Sequence, residues 1–175
     1  VIESNKALIV STDLTDNVDD PKANILTVKV SGIGDYEYAL NSTSPADFST
    51  GTSNFNYTFN NVEPGLNTVY IRDKNGCGIT SSQQLSFLFF QRHFTPNNDG
   101  VLDTWNILGA NNNFYKTVRV EIFDRYGKVV ALITDKNSNG WNGTFNGKKL
   151  PSNDYWFSAR LNDGRVFNSH FTLKR

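Results

Sequence analysis

The sequence is poor in several residue types, and each shortage excludes a class of protein or site. Its 175 residues contain no Met, one Cys (Cys77) and two His. A single Cys excludes a disulfide framework and a metal site built from cysteines. No apolar run approaches the roughly 18–20 residues that a membrane-spanning helix needs. Because Met is absent, we expect the chain to be the carboxy-terminal piece of a longer protein.

The chain also has no net charge at neutral pH. Lys and Arg together number 17, as do Asp and Glu. Nucleic-acid-binding domains usually carry a basic face, so we expect no nucleic-acid partner. His93 and His170 stand apart from any nucleophile motif, and no HExxH, P-loop or paired-carboxylate pattern occurs. The sequence therefore predicts no enzyme activity and no cofactor.

Asn and aromatic residues are abundant. The chain has 23 Asn, and 13% of its residues are aromatic. Asn and Gly favour turns, whereas Thr, Tyr, Phe and Val favour strands. Apolar and polar residues alternate along many short segments, as at Leu26, Val28 and Val30, and no segment shows a helical period. These features predict an all-β protein.

The spacing of the predicted strands indicates two domains. Turn signals such as Asn75-Gly76 and Asp163-Gly164 separate alternating segments at intervals of about 8–12 residues, which is typical of β-sandwiches. We predict two tandem antiparallel immunoglobulin-like β-sandwich domains. Residues 1–88 would form a repeat or spacer domain, and residues 89–175 a second domain.

Four blocks and a closing segment follow one another in the second half. They are residues 94–105 (FTPNNDGVLDTW), 122–128 (IFDRYGK), 140–148 (GWNGTFNGK), 150–157 (LPSNDYWF) and 170–175 (HFTLKR). In this order they resemble the gliding-motility-associated C-terminal domain family. That family is also called the type B sorting domain of the Bacteroidota type IX secretion system. The family usually has Gly at the position of Asn98, Asn or a similar residue at that of Leu102, and Asp at that of Asn142.

The first half is similar to the repeated modules of gliding adhesins and other large cell-surface proteins of these bacteria. The supporting segments are residues 36–40 (YEYAL), 62–65 (VEPG) and 69–78 (VYIRDKNGCG). This resemblance implies a spacer module rather than an active site.

The resemblance of the second half implies a secretion signal on a cargo protein of the gliding-adhesin type. The cargo would pass through the periplasm and cross the outer membrane, to be secreted or held at the cell surface. The implied partners are the type IX secretion machinery and an outer-membrane protein similar to the SprF/PorP family. The residues alone predict only a β-sandwich with an ordered last strand.

The sorting signal is predicted at the last five residues: Phe171, Thr172, Leu173, Lys174 and Arg175. Alternation places the side chains of Phe171 and Leu173 on one face of a strand. We expect an edge strand, because free backbone N–H and C=O groups would let a receptor extend the sheet. The two basic residues would pair with acidic groups of the translocon. Alternatively, they are charges that guard a β edge against aggregation.

Two loops are candidate calcium sites. Asp99 and Asp103 flank a Gly-bent loop rich in oxygen ligands, which hard cations prefer. Because the loop has only two carboxylates, an Asx-turn is the favoured alternative. Residues 135–140 match the start of an EF-hand loop. Its twelfth position is Asn146 instead of Glu, which favours a surface turn.

Trp105, Trp141 and Trp156 suggest an alternative function. If exposed, their rings could stack on sugars, as in a carbohydrate-binding module appended to a secreted polysaccharide-degrading enzyme. In a small sandwich, however, Trp more commonly packs in the core.

Overall fold

The computed structural model describes residues 5–18, 20–51, 55–110, 114, 119–134 and 140–175. Within these ranges the regular structure consists of β-strands and two short 3-10 helices, Pro21–Ala23 and Pro45–Asp47. The predicted all-β fold class is confirmed. None of the helices in these ranges is long and apolar enough to cross a membrane. The chain divides into two compact units, Val1–Phe89 and Phe90–Arg175.

The first unit contains short strands arranged mostly in two antiparallel sheets. The strands are β1 (Leu8–Thr15), β2 (Ile25–Ser31), β3 (Tyr36–Leu40), β4 (Asn56–Asn60), β5 (Gly65–Asn67), β6 (Val69–Asp73), β7 (Ile79–Ser81) and β8 (Leu85–Phe87). One sheet has the order β1-β2-β4 and the other β3-β6-β7, while β5 pairs with β8.

Alternation in the first unit places the apolar side chains of both sheets in one core. Leu26 and Val28 of β2 belong to the same buried cluster as Tyr38 of β3 and Ile71 of β6. The ring of Tyr38 also stacks on that of Tyr57, with 5.1 Å between centroids. The two sheets therefore share their hydrophobic faces, as in a sandwich.

The hairpin between β6 and β7 forms as Asn75-Gly76 predicts, but its turn is not the type I′ turn that an Asn-Gly pair favours. A type I′ turn needs positive φ at both central residues. Gly76 and Gly78 have φ of 91° and 93°, whereas Asn75 does not have a positive φ. Instead, Oδ1 of Asp73 accepts the backbone N–H groups of Asp35 and Asn75 at 3.1 Å each. The carboxylate, rather than the backbone alone, organises this turn.

The strands that follow are β9 (Phe89–Phe90), β10 (His93–Phe94), β11 (Ile107–Leu108), β12 (Arg119–Phe123), β13 (Val129–Ile133), β14 (Thr144–Phe145), β15 (Lys148–Lys149), β16 (Asn153–Arg160) and β17 (Val166–Leu173). The main element of the second unit is a five-stranded sheet of order β10-β17-β16-β12-β13, while β9 pairs with β11 and β14 with β15. Within the five-stranded sheet, all strand pairs are antiparallel except β10 and β17, which are parallel.

Asp73 links the stability of the first unit to pH. Only 4% of its surface is exposed. Burial raises the pKa of its carboxyl, but hydrogen bonds from Asn75, Asp35 and Cys77 outweigh burial and hold the pKa below the ordinary value of 3.8. Ionised Asp73 therefore stabilises the fold above about pH 4, and this contribution is lost as the pH falls through the lowered pKa.

Asp73→Asn should lower the free energy of unfolding by about 1–2 kcal/mol near neutral pH, because it weakens charge-assisted hydrogen bonds. The deficit should shrink near pH ~2, where the parent carboxyl is protonated. Urea unfolding at the two pH values measures this. Asp13→Asn removes the same charge from an exposed strand position and serves as the control. If Asp73→Asn lowers the free energy of unfolding as much in acid as at neutral pH, ionised Asp73 is not the stabilising group.

Candidate functional site

The last strand, β17, lies inside the sheet at its carboxyl end, between β10 and β16. The backbone N–H of Thr172 donates to the carbonyl oxygen of Arg92 at 2.9 Å. That of Lys174 donates to the carbonyl oxygen of Phe94 at 3.0 Å. The expectation of an edge strand is therefore wrong at these residues. A receptor strand could extend the sheet here only by displacing β10.

Phe171 anchors β17 in the aromatic core of the second unit. Its side chain and that of Trp105 are both 0% exposed, and their rings stack with 4.5 Å between centroids. Further rings lie within 6.3 Å of the Phe171 ring, from Phe94, Trp141, Tyr155 and Phe157. Such pairs contribute about 0.5–1.5 kcal/mol each beyond area burial. The last strand is thus part of the core.

Trp105 and Trp141 cannot line a sugar-binding platform, because they are 0% and 6% exposed. Each indole N–H donates to a backbone carbonyl, that of Trp105 to Gln91 at 2.7 Å and that of Trp141 to Thr144 at 2.9 Å. The platform expectation is therefore wrong for both residues. Trp156 differs, since 43% of its surface is exposed.

Arg175 is held by polar groups of the neighbouring segment. Its Nε donates to the carbonyl oxygen of Leu150 and its Nη2 to that of Gly143, both at 3.0 Å. Its backbone N–H donates to Oγ of Ser152 at 2.9 Å. Together with the buried side chain of Leu173, these contacts fasten the end of the chain to residues 143–152. We call this set of contacts the Arg175 clasp.

Gly143 leaves room for the Arg175 clasp. Its φ is +76°, and a Cβ there would lie 2.9 Å from Nη2 of Arg175 and 3.2 Å from both Cδ atoms of Leu173. Both the backbone conformation and the space therefore favour Gly. Gly143 belongs to the 140–148 block, but sequence reasoning gave it no role because its neighbours in space are distant in the chain.

The structure separates the five predicted sorting residues by accessibility. Phe171 and Leu173 are both 0% exposed, as their alternation predicts. Thr172 is half-buried, and its hydroxyl donates to Oδ1 of Asp154 at 2.7 Å. Lys174 and Arg175 are exposed. A partner can therefore contact the two basic residues and part of Thr172, whereas the two apolar residues act through the fold.

The loop from Asp99 to Asp103 binds its own backbone. The two carboxylate oxygens of Asp103 accept the N–H groups of Asn98 and Gly100 at 2.6 and 2.8 Å. Oδ1 of Asp99 accepts the N–H of Val101 at 2.8 Å. These are the contacts of the Asx-turn alternative.

A calcium ion stays a prediction for this loop. Across the described ranges, no group of three or more His, Cys, Asp or Glu side chains could hold a metal ion. The EF-hand-like segment at residues 135–140 lies outside the described residues except for Gly140.

Residues 88–172 match the family model of the CHU_C type IX secretion signal domain. The resemblance of the second half to this family of sorting domains is confirmed. No curated protein matches the sequence significantly.

Solved structures give distant matches. Latent PorU from Porphyromonas gingivalis has 16% identity and a TM-score of 0.31, over 95% of this chain and 20% of its own. The BSP domain of a biofilm-associated protein has 12% identity and a TM-score of 0.33, over 95% of this chain and 30% of its own. SGBP-B of the Bacteroides ovatus mixed-linkage glucan utilization locus has 10% identity and a TM-score of 0.31, over 99% of this chain and 48% of its own. This chain thus spans a fifth to about a half of their lengths.

Gly143→Ala should lower the free energy of unfolding by about 2–4 kcal/mol, because it combines left-handed backbone strain with displacement of Arg175 and Leu173. Gly147→Ala is the matched control. Its φ is +73°, and nothing lies within 4 Å of an added Cβ. It should cost only the strain, about 1–2 kcal/mol. Urea unfolding of both variants measures the difference. Equal losses would show that the Arg175 clasp does not restrict this position.

Proposed function

We propose that the second unit directs export of a cargo protein across the outer membrane by the type IX secretion system. The match of residues 88–172 to the type IX secretion signal domain carries this proposal. The cargo would pass through the periplasm and be released or kept at the cell surface. Neither unit would act as an enzyme.

We further infer that the cargo is of the gliding-adhesin type, with the first unit as a spacer. The outer-membrane partner would be a protein similar to the SprF/PorP family. The supporting observations are the ordered sequence blocks of the second half and the sandwich core of the first unit.

The buried last strand supports a signal that is read as a folded surface. Phe171 and Leu173 are sealed in the core, so a receptor that bound a linear tail would have to extract both side chains. Extraction would cost several kcal/mol, because fully burying one such side chain contributes about 1.5–3 kcal/mol. We therefore expect recognition of Lys174, Arg175 and their surroundings on the folded unit.

A periplasmic reporter fused to the amino end of the 175-residue chain should be exported by cells with an active type IX system. It should stay in the periplasm of cells in which that system is inactivated. A reporter fused to residues 1–89 alone is the control and should be retained in both strains. Immunoblots of medium, surface and periplasmic fractions measure the distribution. Retention of the whole-chain fusion in the active strain would contradict the proposal.

Trp156 is the observation that keeps a glycan-binding function as a second candidate. Its ring lies 6.4 Å from that of His170, and it pairs with Phe123 on β12. An exposed indole offers a flat apolar surface on which a sugar ring can stack.

Trp156→Ala should reduce retention on insoluble polysaccharides several-fold, since a lost ring contact removes about 1 kcal/mol or more. Trp156→Phe, which keeps an aromatic ring at the same position, is the control and should bind nearly as the parent does. Affinity electrophoresis with several polysaccharides provides the measurement. A parent protein that binds none of them eliminates this candidate.

A further inference from the structure

The zero net charge of the chain conceals opposite charges on its two units. Residues 1–89 contain 5 Lys and Arg against 10 Asp and Glu, whereas residues 90–175 contain 12 against 7. The units therefore carry net charges of −5 and +5. A basic unit attracts and orients acidic partners, and the composition of the whole chain hides this.

Several basic side chains of the second unit surround the Arg175 clasp. Nζ of Lys128 lies 4.6 Å from the ring centroid of Phe145. Phe145 pairs with Lys148 across β14–β15. The carbonyl groups that hold Arg175 belong to the segments on either side of this strand pair. We call the following six residues the basic patch: Arg125, Lys128, Lys148, Lys149, Lys174 and Arg175.

Two adjoining grooves open beside the basic patch. One is lined by residues 124–126, 150, 151 and 153–155, and the other by residues 152–154 and 172–175. Tyr126 stands at the first groove with 78% of its surface exposed. The guanidinium of Arg125 lies 4.8 Å from the centre of its ring and donates to its hydroxyl at 2.6 Å. Tyr and Arg are the residue types that dominate many protein interfaces.

Acidic side chains do not neutralise the basic patch. Among the described residues of the second unit, Arg119 pairs with Glu121 and Arg165 with Asp163, and both ion pairs lie outside the patch. Two carboxylates, those of Asp124 and Asp154, line the grooves beside the six basic residues, so the formal charge of the patch and grooves together is +4 (six minus two). Oδ1 of Asp124 accepts the backbone N–H groups of residues 126 and 128, and Oδ1 of Asp154 accepts the hydroxyl of residue 172.

We propose that the basic patch and Tyr126 dock an extended acidic polypeptide segment of a partner protein. The two grooves share the lining residues Asn153 and Asp154 and are therefore adjacent, which suits an extended chain. A lipid surface suits the patch less well. Membrane anchors insert apolar side chains, whereas the exposed ring of this patch has its hydroxyl bound by Arg125. That the partner belongs to the export machinery rests on the proposed function.

The direct test uses the 175-residue chain and a fluorescent poly-glutamate peptide, with binding followed by anisotropy at increasing salt. The triple variant Lys148→Gln, Lys149→Gln, Lys174→Gln should bind about tenfold more weakly than the parent, since three exposed ion pairs are lost. The control is Lys6→Gln, Lys22→Gln, Lys29→Gln, which removes the same charge from the first unit and should bind as the parent does. Both variants should show the circular dichroism spectrum of the parent.

Two results of this assay would overturn the proposal: no binding of the peptide by the parent, and equal loss in the two triple variants. In a parallel sedimentation assay, parent binding to phosphatidylglycerol vesicles without binding to the peptide would assign the patch to a lipid surface.

Export of the reporter fusion separates this proposal from the proposed function. If the parent fusion is exported and the patch variant is exported less than the control variant, the acidic partner belongs to the export machinery. Equal export of the two variants overturns the assignment of the acidic partner to the export machinery and leaves the sorting function standing. If the parent fusion is retained, the sorting function fails, and peptide binding alone then decides the docking surface.

Discussion

The burial of Phe171 among the aromatic rings of the second unit is the contact on which the rest of the site depends. Its ring stacks on Trp105 at 4.5 Å and is fully removed from solvent. This places the last strand in the core, where β10 and β16 occupy both of its sides. Because Leu173 is buried on the same face, the following residues have a defined position, from which Arg175 reaches the carbonyl oxygens of Gly143 and Leu150.

A buried anchor and an exposed basic end give the last strand two separate roles. The apolar residues report that the unit has folded, since they are buried only when the whole core is assembled. The basic residues then present charge at a defined place beside the grooves. Under the proposed function, a receptor that recognises this surface would distinguish a folded second unit from an unfolded one without unfolding it. The first unit has the opposite net charge, which disfavours an acidic partner.

Alternation along the chain predicted the β-strands and the inward orientation of Phe171 and Leu173, because both depend on neighbours two residues apart. It could not predict the parallel pairing with β10, since His93 and Phe94 form a strand of only two residues far away in the sequence. The roles of Gly143 and the Arg175 guanidinium depend on the same non-local packing. The opposite charges of the units were present in the sequence, but averaging over the whole chain cancelled them.

Hydrogen exchange of the 175-residue chain tests most directly whether the last strand is an integral part of the fold. The account predicts that the backbone amides of Thr172 and Lys174 exchange as slowly as those of the interior strands β12 and β16, because they donate to carbonyls of the segment around β10. Rapid exchange at Thr172 and Lys174, with slow exchange elsewhere in the sheet, would show that the end of the chain is loose and would contradict the account.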